Sequence, residues 1–278
     1  MPDSPTIKRR QLSNELRRLR AAAGMTVEEA AERLEWSRAR LGHIETGRRK
    51  KPLVTDVRAL LELYRVSDER EREAILGLAR AARESGWWTR YDDVFTGRFP
   101  GFEAAARSIG TYQPALIPGL LQTPSYIRAI TEATLIYDAD DVQRVIDARR
   151  QRQAILTDPD QPELWAVIDE AALLRLGGGA MMREQVEYLV SVAEDRSNSV
   201  TVQVLGIEAG LHAGIGGPFV LLDFDEGMNP LVYIETDTDG LYLEEAAEVE
   251  RYRRLLLHIQ VAAMKPPRSL AYLKSKLA

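Results

Sequence analysis

The sequence predicts two domains of different class: a mainly α head over residues 1–86 and an α+β body over 87–278, in which a small, mainly antiparallel sheet is covered by helices. Three observations predict this. Apolar residues recur at spacings of three and four through the head. Short β-branched or apolar runs bounded by turn formers begin at residue 164. The charge also changes sign: residues 1–86 carry 19 Lys and Arg against 14 Asp and Glu, and the remainder 18 against 28. A basic head on an acidic body fits a polyanionic partner held at the head alone, although the whole chain carries −5.

Residues 6–22 form the first predicted helix, with Leu12, Leu16 and Leu19 on one face and Gly24 as terminator. The first few residues are expected to form a mobile basic arm, with Lys8, Arg9 and Arg10 available to phosphates. Thr26 caps the second helix, where Glu28 and Glu29 suit the positive helix end, and this helix runs to Leu34. After only Glu35 and Trp36, Ser37 caps a third helix that ends at Thr46, with Gly47 as left-handed terminator. That is helix-turn-helix spacing. Leu41 and Ile44 turn inward toward Val27, Ala31 and Leu34, leaving Ser37, Arg38, Ala39, Gly42 and His43 outward.

Residues on such a face meet the major groove of double-stranded DNA. An arginine fork takes both acceptors of a guanine edge, so Ser37, Arg38, Ala39 and His43 are the candidate base contacts. Thr26, Arg40, Arg48, Arg49, Lys50 and Lys51 are better placed for phosphates, which position a protein without reading sequence. Two further helices, near Thr55 and near Ser67 or Asp68, complete the head. The boundary follows in the aromatic and turn-rich stretch 84–101, whose aromatics are expected to pack.

In the body, helices are predicted at 102–113, after Thr123-Pro124, from Asp140, over 181–194 and over 245–264. Strands are predicted at 164–169, 200–205, 218–224 and 231–235, with a fifth at 241–243. No catalytic residue, metal or cofactor is assigned. The chain has no cysteine, which removes disulfides and thiolate chemistry. The glycine-rich stretch 210–217 precedes a strand rather than opening a helix, so it lacks the amide-lined helix start of a phosphate site and reads as a loop. His212 within it has no metal-spaced partner, since His43 and His258 are the only other histidines. Asp169 and Glu170 read as a helix cap rather than a pair with Glu235, and Arg149, Arg150 and Arg152 as a solvated face. No apolar signal core or membrane-length run occurs, so a cytoplasmic, nucleoid-associated protein without membrane contact is expected.

The stretch TVEEAAERLEWSRARLGHIETGRR at 26–49, with the leucines that follow, resembles the XRE family of lambda-repressor-type regulators. With GWW at 86–88, the PALIPGLLQT segment, LWAVIDEAALLR at 164–175 and HAG..GPF.LL.F up to 224, the chain is similar to actinobacterial regulators of that family with a large C-terminal domain, described as antitoxin-like or WhiJ-like. The resemblance implies a bacterial DNA-binding transcriptional regulator, often encoded beside a small acidic partner protein. It also implies a structural ion pair between Arg20 and Glu45. Gly42 departs from the family pattern, which usually has a hydroxyl residue there. Two recognition helices about 34 Å apart would match one turn of duplex, so a homodimer is expected. For the body, a small acidic protein and a small-molecule effector both remain open as partners.

Overall fold

A computed structural model describes residues 4–95, 97–136, 138–195, 197, 199–225, 228–236 and 240–278. The chain divides into two compact units, residues 1–90 and 91–278. A short 3₁₀ turn, Trp87–Tyr91, spans the division.

The first unit is helical: α1 Pro5–Ala22, α2 Val27–Arg33, α3 Arg38–Glu45, α4 Val54–Leu63 and α5 Glu69–Ala81. Leu12 and Leu16 of α1, Ala31 of α2, Leu41 and Ile44 of α3, Leu60 and Leu61 of α4 and Ile75 of α5 share one buried core. The arm expected at Lys8, Arg9 and Arg10 is instead part of α1. Pro5 at the start of that helix supplies the fixed φ a first turn uses, and Arg10 is buried.

The second unit is built on α6 Phe99–Glu103, β1 Ser108–Gln113, α7 Pro124–Ala133, α8 Ala139–Gln153, β2 Glu163–Asp169, α9 Glu170–Leu174, α10 Ala180–Glu194, β3 Val200–Leu205, β4 Phe219–Asp223, β5 Leu231–Glu235, β6 Gly240–Leu243, α11 Ala246–Ala262 and α12 Pro266–Ser275. The strands form one six-stranded mixed sheet in the order β3-β2-β1-β4-β5-β6. This corrects the small, mainly antiparallel sheet expected from sequence. β1 pairs β2 in parallel and β2 pairs β3 in parallel, each through a helical crossover, whereas β4, β5 and β6 continue antiparallel.

The helix predicted over 102–113 is likewise corrected to the short α6 followed by β1. This central strand is buried on both faces, with Ile109, Thr111 and Tyr112 all inaccessible, and a strand buried on both faces loses the alternation that marks a half-solvated one. Phe102, Ile109 and Tyr112 then imitate helical spacing. On one face of the sheet Tyr112, Val167, Phe219 and Val232 pack against Val249, Leu256 and Ile259 of α11. Gly110 permits that approach, since a Cβ there would sit 2.4 Å from Leu256.

The turn from α11 into α12 covers the edge of β3. Val204 donates its amide to Ser269 Oγ at 2.9 Å, and its carbonyl accepts from the Met264 amide at 2.9 Å. An uncovered edge strand is a template for pairing with other chains.

Candidate nucleic-acid interface

Local sequence sets the geometry of α2 and α3. Thr26 Oγ1 accepts from the Glu29 amide at 3.2 Å, and Glu29 Oε2 accepts from the Thr26 amide at 2.8 Å, so both orphan donors are satisfied reciprocally. That exchange holds the exposed Glu29 carboxyl below the usual carboxylate range. Glu35 takes the left-handed conformation, φ 54°, that reverses the chain within one residue. Ser37 Oγ then accepts from the Arg40 amide at 3.2 Å and starts α3.

Leu41 and Ile44 anchor α3 in the core, and Ser37, Arg38, Ala39 and His43 stand exposed on its other side. The Arg38 guanidinium lies 2.7 Å from Glu28 in an exposed pair. Such a pair contributes about 0–1 kcal/mol, so Arg38 can exchange it for a base edge at little cost. The base-reading candidates therefore share one solvent-facing surface.

Beneath that surface, α3 is fixed by polar contacts. Arg20 Nε donates to Glu45 Oε1 at 2.8 Å and Oε2 at 3.0 Å, while Arg20 Nη1 donates to the Met25 carbonyl at 2.8 Å. Tyr64 donates to Glu45 from α4 at 3.3 Å, and burial beside that carboxylate pushes its hydroxyl far above the ordinary tyrosine range. Ser13 of α1 donates to the Ile44 carbonyl at 2.8 Å, occupying one of the free acceptors at the end of α3. Side chains from α1 and from the end of α4 thus hold the recognition helix without reaching its exposed face.

The expected phosphate contacts divide. Thr26, Arg48, Lys50 and Lys51 are exposed. Arg40 is turned back instead: its Nη2 donates to Asp56 at 2.8 Å and its guanidinium lies over the Trp36 ring at 4.1 Å. Arg49 approaches the same carboxylate at 3.4 Å. Asp56, 4% exposed in the first turn of α4, was not singled out in the sequence. Its signal is an acidic residue opening a helix directly after the basic run 48–51.

Residues 96–275 match the family described as Domain of unknown function (DUF5753). The chain belongs to that family. Residues 11–75 match a helix-turn-helix domain, which supports a DNA-binding regulator. No curated protein and no solved structure matches the chain. Among the described residues no helix is long and apolar enough to cross a membrane, and no three ligating side chains are grouped to hold a metal.

In the DUF5753 unit, Asp169 caps α9 through the Ala171 amide at 2.9 Å and also accepts from Tyr112 at 3.0 Å. His212 Nε2 lies 3.8 Å from Asp169, with His212 Nδ1 accepting from the Gly214 amide at 3.1 Å. Stretch 210–217 therefore folds over the end of β2, and Glu235 does not join these groups. The solvated face expected for the arginines of α8 is corrected for two of the three. Arg152 binds Glu103, which is buried, and lies over the Phe99 ring. Arg149 donates to Gln122 at 2.6 Å. Both line a cavity, while Arg150 is exposed.

Proposed function

We propose that the chain is a sequence-specific transcriptional regulator that binds operator DNA as a homodimer, with one α3 per half-site and no catalytic role. The observation that carries this reading is the exposed set Ser37, Arg38, Ala39 and His43 on a helix locked from behind by Arg20, Glu45 and Tyr64. A reading helix must present its side chains in fixed geometry, and base contacts demand that rigidity. A single head is too small to bury much duplex, so tight binding calls for two. Leu257 and Val261, four apart on one side of α11 and both exposed, with the exposed Trp165 lining the same cavity as Leu257, supply apolar surface of the kind a second copy would cover.

For the DUF5753 unit, the effector reading is favoured over a small acidic protein. An acidic partner would meet a body with 28 Asp and Glu against 18 Lys and Arg, and like charge opposes association. A cavity of about 580 Å³ with a few polar groups is the usual form of a small-molecule site.

Selection of bound duplexes from a random library tests the function. The expected result is a palindromic site with half-sites one helical turn apart, lost in Arg38→Ala at one defined position of each half. Binding of all duplexes alike, or by a monomer at a single half-site, would refute it.

A further inference from the structure

The cavity of about 580 Å³ in the second unit lies against the sheet face that carries Thr111, Val220 and Tyr233. Its apolar wall includes Phe99, Leu116 and Leu120. Phe99 is fixed by stacking on Tyr233 at 4.1 Å between centroids. The polar wall comes from α8, which presents Arg149 and Arg152 three residues apart and so on one side.

The two arginines are matched differently. Arg152 is neutralised by Glu103 through two hydrogen bonds. Among the described residues, Arg149 donates only to the neutral oxygen of Gln122, at 2.6 Å, and forms no ion pair within 4.0 Å. Gln122 is oriented by its own amide, which donates to the Ile117 carbonyl at 2.7 Å, so its oxygen is held toward Arg149. Burial, then repulsion from Arg152, push the Arg149 guanidinium down to about 10, against a smaller opposing attraction from Glu235. A cation held in a cavity with no carboxylate in ion-pair contact weakens the fold that contains it. An anionic ligand would reverse that cost.

The charge of the ligand follows from the other groups. Glu103 and Glu235 also line the cavity, and with Arg149 and Arg152 the four ionised groups sum to zero. With Glu103 taken by Arg152, one guanidinium that lacks ion-pair contact and feels Glu235 from further off suits a single negative charge and disfavours a dianion such as phosphate. We propose that this cavity binds a small organic monocarboxylate, its carboxylate on Arg149 and its apolar body against Phe99, Leu116 and Leu120. The assignment deepens the effector reading above and rests on it for its regulatory meaning only.

Calorimetric titration of the full chain with octanoate, phenylacetate and 4-phenylbutyrate, each beside its primary amide, tests the site. At least one acid should bind at submillimolar concentration, with its amide weaker by about tenfold to a hundredfold, the difference a charge-assisted contact makes. Arg149→Met should abolish the preference for acid over amide and raise the melting midpoint of the unliganded protein. Leu116→Trp, which fills the mouth without touching a charge, should weaken acid and amide together. Failure of all three acids at millimolar concentration, inorganic phosphate binding as well as the best acid, or an undiminished preference in Arg149→Met would each overturn the assignment. An acid that binds this way yet leaves operator affinity unchanged would keep the site and refute the effector reading.

Discussion

Replacing Arg20 by alanine leaves the Glu45 carboxylate, with its side chain 3% exposed, without its cation. Among the described residues only the Tyr64 hydroxyl would still donate to it, at 3.3 Å. Breaking a buried pair from one side in this way costs about 3–5 kcal/mol. The opposite deletion, Glu45→Ala, leaves an arginine that is 17% exposed and keeps the Met25 carbonyl, so its charge can turn to water and the cost falls to about 1–3 kcal/mol. Arg20→Met combined with Glu45→Leu should cost less than the sum of the two deletions, because no charge is stranded, with a coupling of about 0.5–3 kcal/mol. For a domain of this size, Arg20→Ala should lower the midpoint of the head by about 12 °C or more. Hydrogen exchange of the α3 amides in the full chain reads the head by itself. Equal protection of those amides in Arg20→Ala and the parent, or strict additivity in the double variant, would refute the account of how α3 is held.

Arg38→Ala should relax preference at one base position at a cost of about 1–3 kcal/mol without moving the melting midpoint. Arg40→Ala should instead lower the midpoint and leave base preference unchanged, because Asp56 would keep only Arg49; affinity against operator variants and thermal unfolding separate the two. Gly42 lies within α3 with nothing within 4 Å of where a Cβ would stand, so Gly42→Ala should stabilise the head by about 0.4–1 kcal/mol, read by urea unfolding. Glu170 is held below the usual carboxylate range first by the Tyr272 hydroxyl at 2.6 Å and then by the Ile207 amide. The stability this gives is complete above the unfolded glutamate pKa and is lost as pH falls through the lowered folded value. Tyr272→Phe should therefore reduce stability at neutral pH and flatten the acid limb of a stability-against-pH curve, with parent and variant converging at low pH.

The head was legible because its signals are local. Thr26 with Glu29, Ser37, and Leu41 with Ile44 each act within four residues, and caps and spacing agree with the core they build. Arg20 and Glu45 were reached through family resemblance, since no spacing within one helix links residues 25 apart. In the second unit the decisive partners are distant. Arg152 meets Glu103 across 49 positions and Arg149 meets Gln122 across 27, so beside Asp147 and Asp158 the run resembled an ordinary surface. β1 hid its strand character by being buried on both faces. The last helix predicted from sequence spans 245–264, whereas the structure adds α12, whose Pro266 and Pro267 suit a first helical turn.

The cover over β3 sets an order of events during synthesis. Val204 and the Ser269 hydroxyl that occupies its amide are 65 residues apart. At a translation rate of about 5–20 residues per second, the nascent chain presents a bare parallel edge for roughly 3–13 s before the covering helix is made. A stop codon or frameshift after β6 and before Ser269 yields a chain that holds all six strands and is unable to cover the β3 rim. Such products should be recovered as aggregates rather than as soluble fragments, so the codons for α12 bear on solubility out of proportion to the short helix they encode.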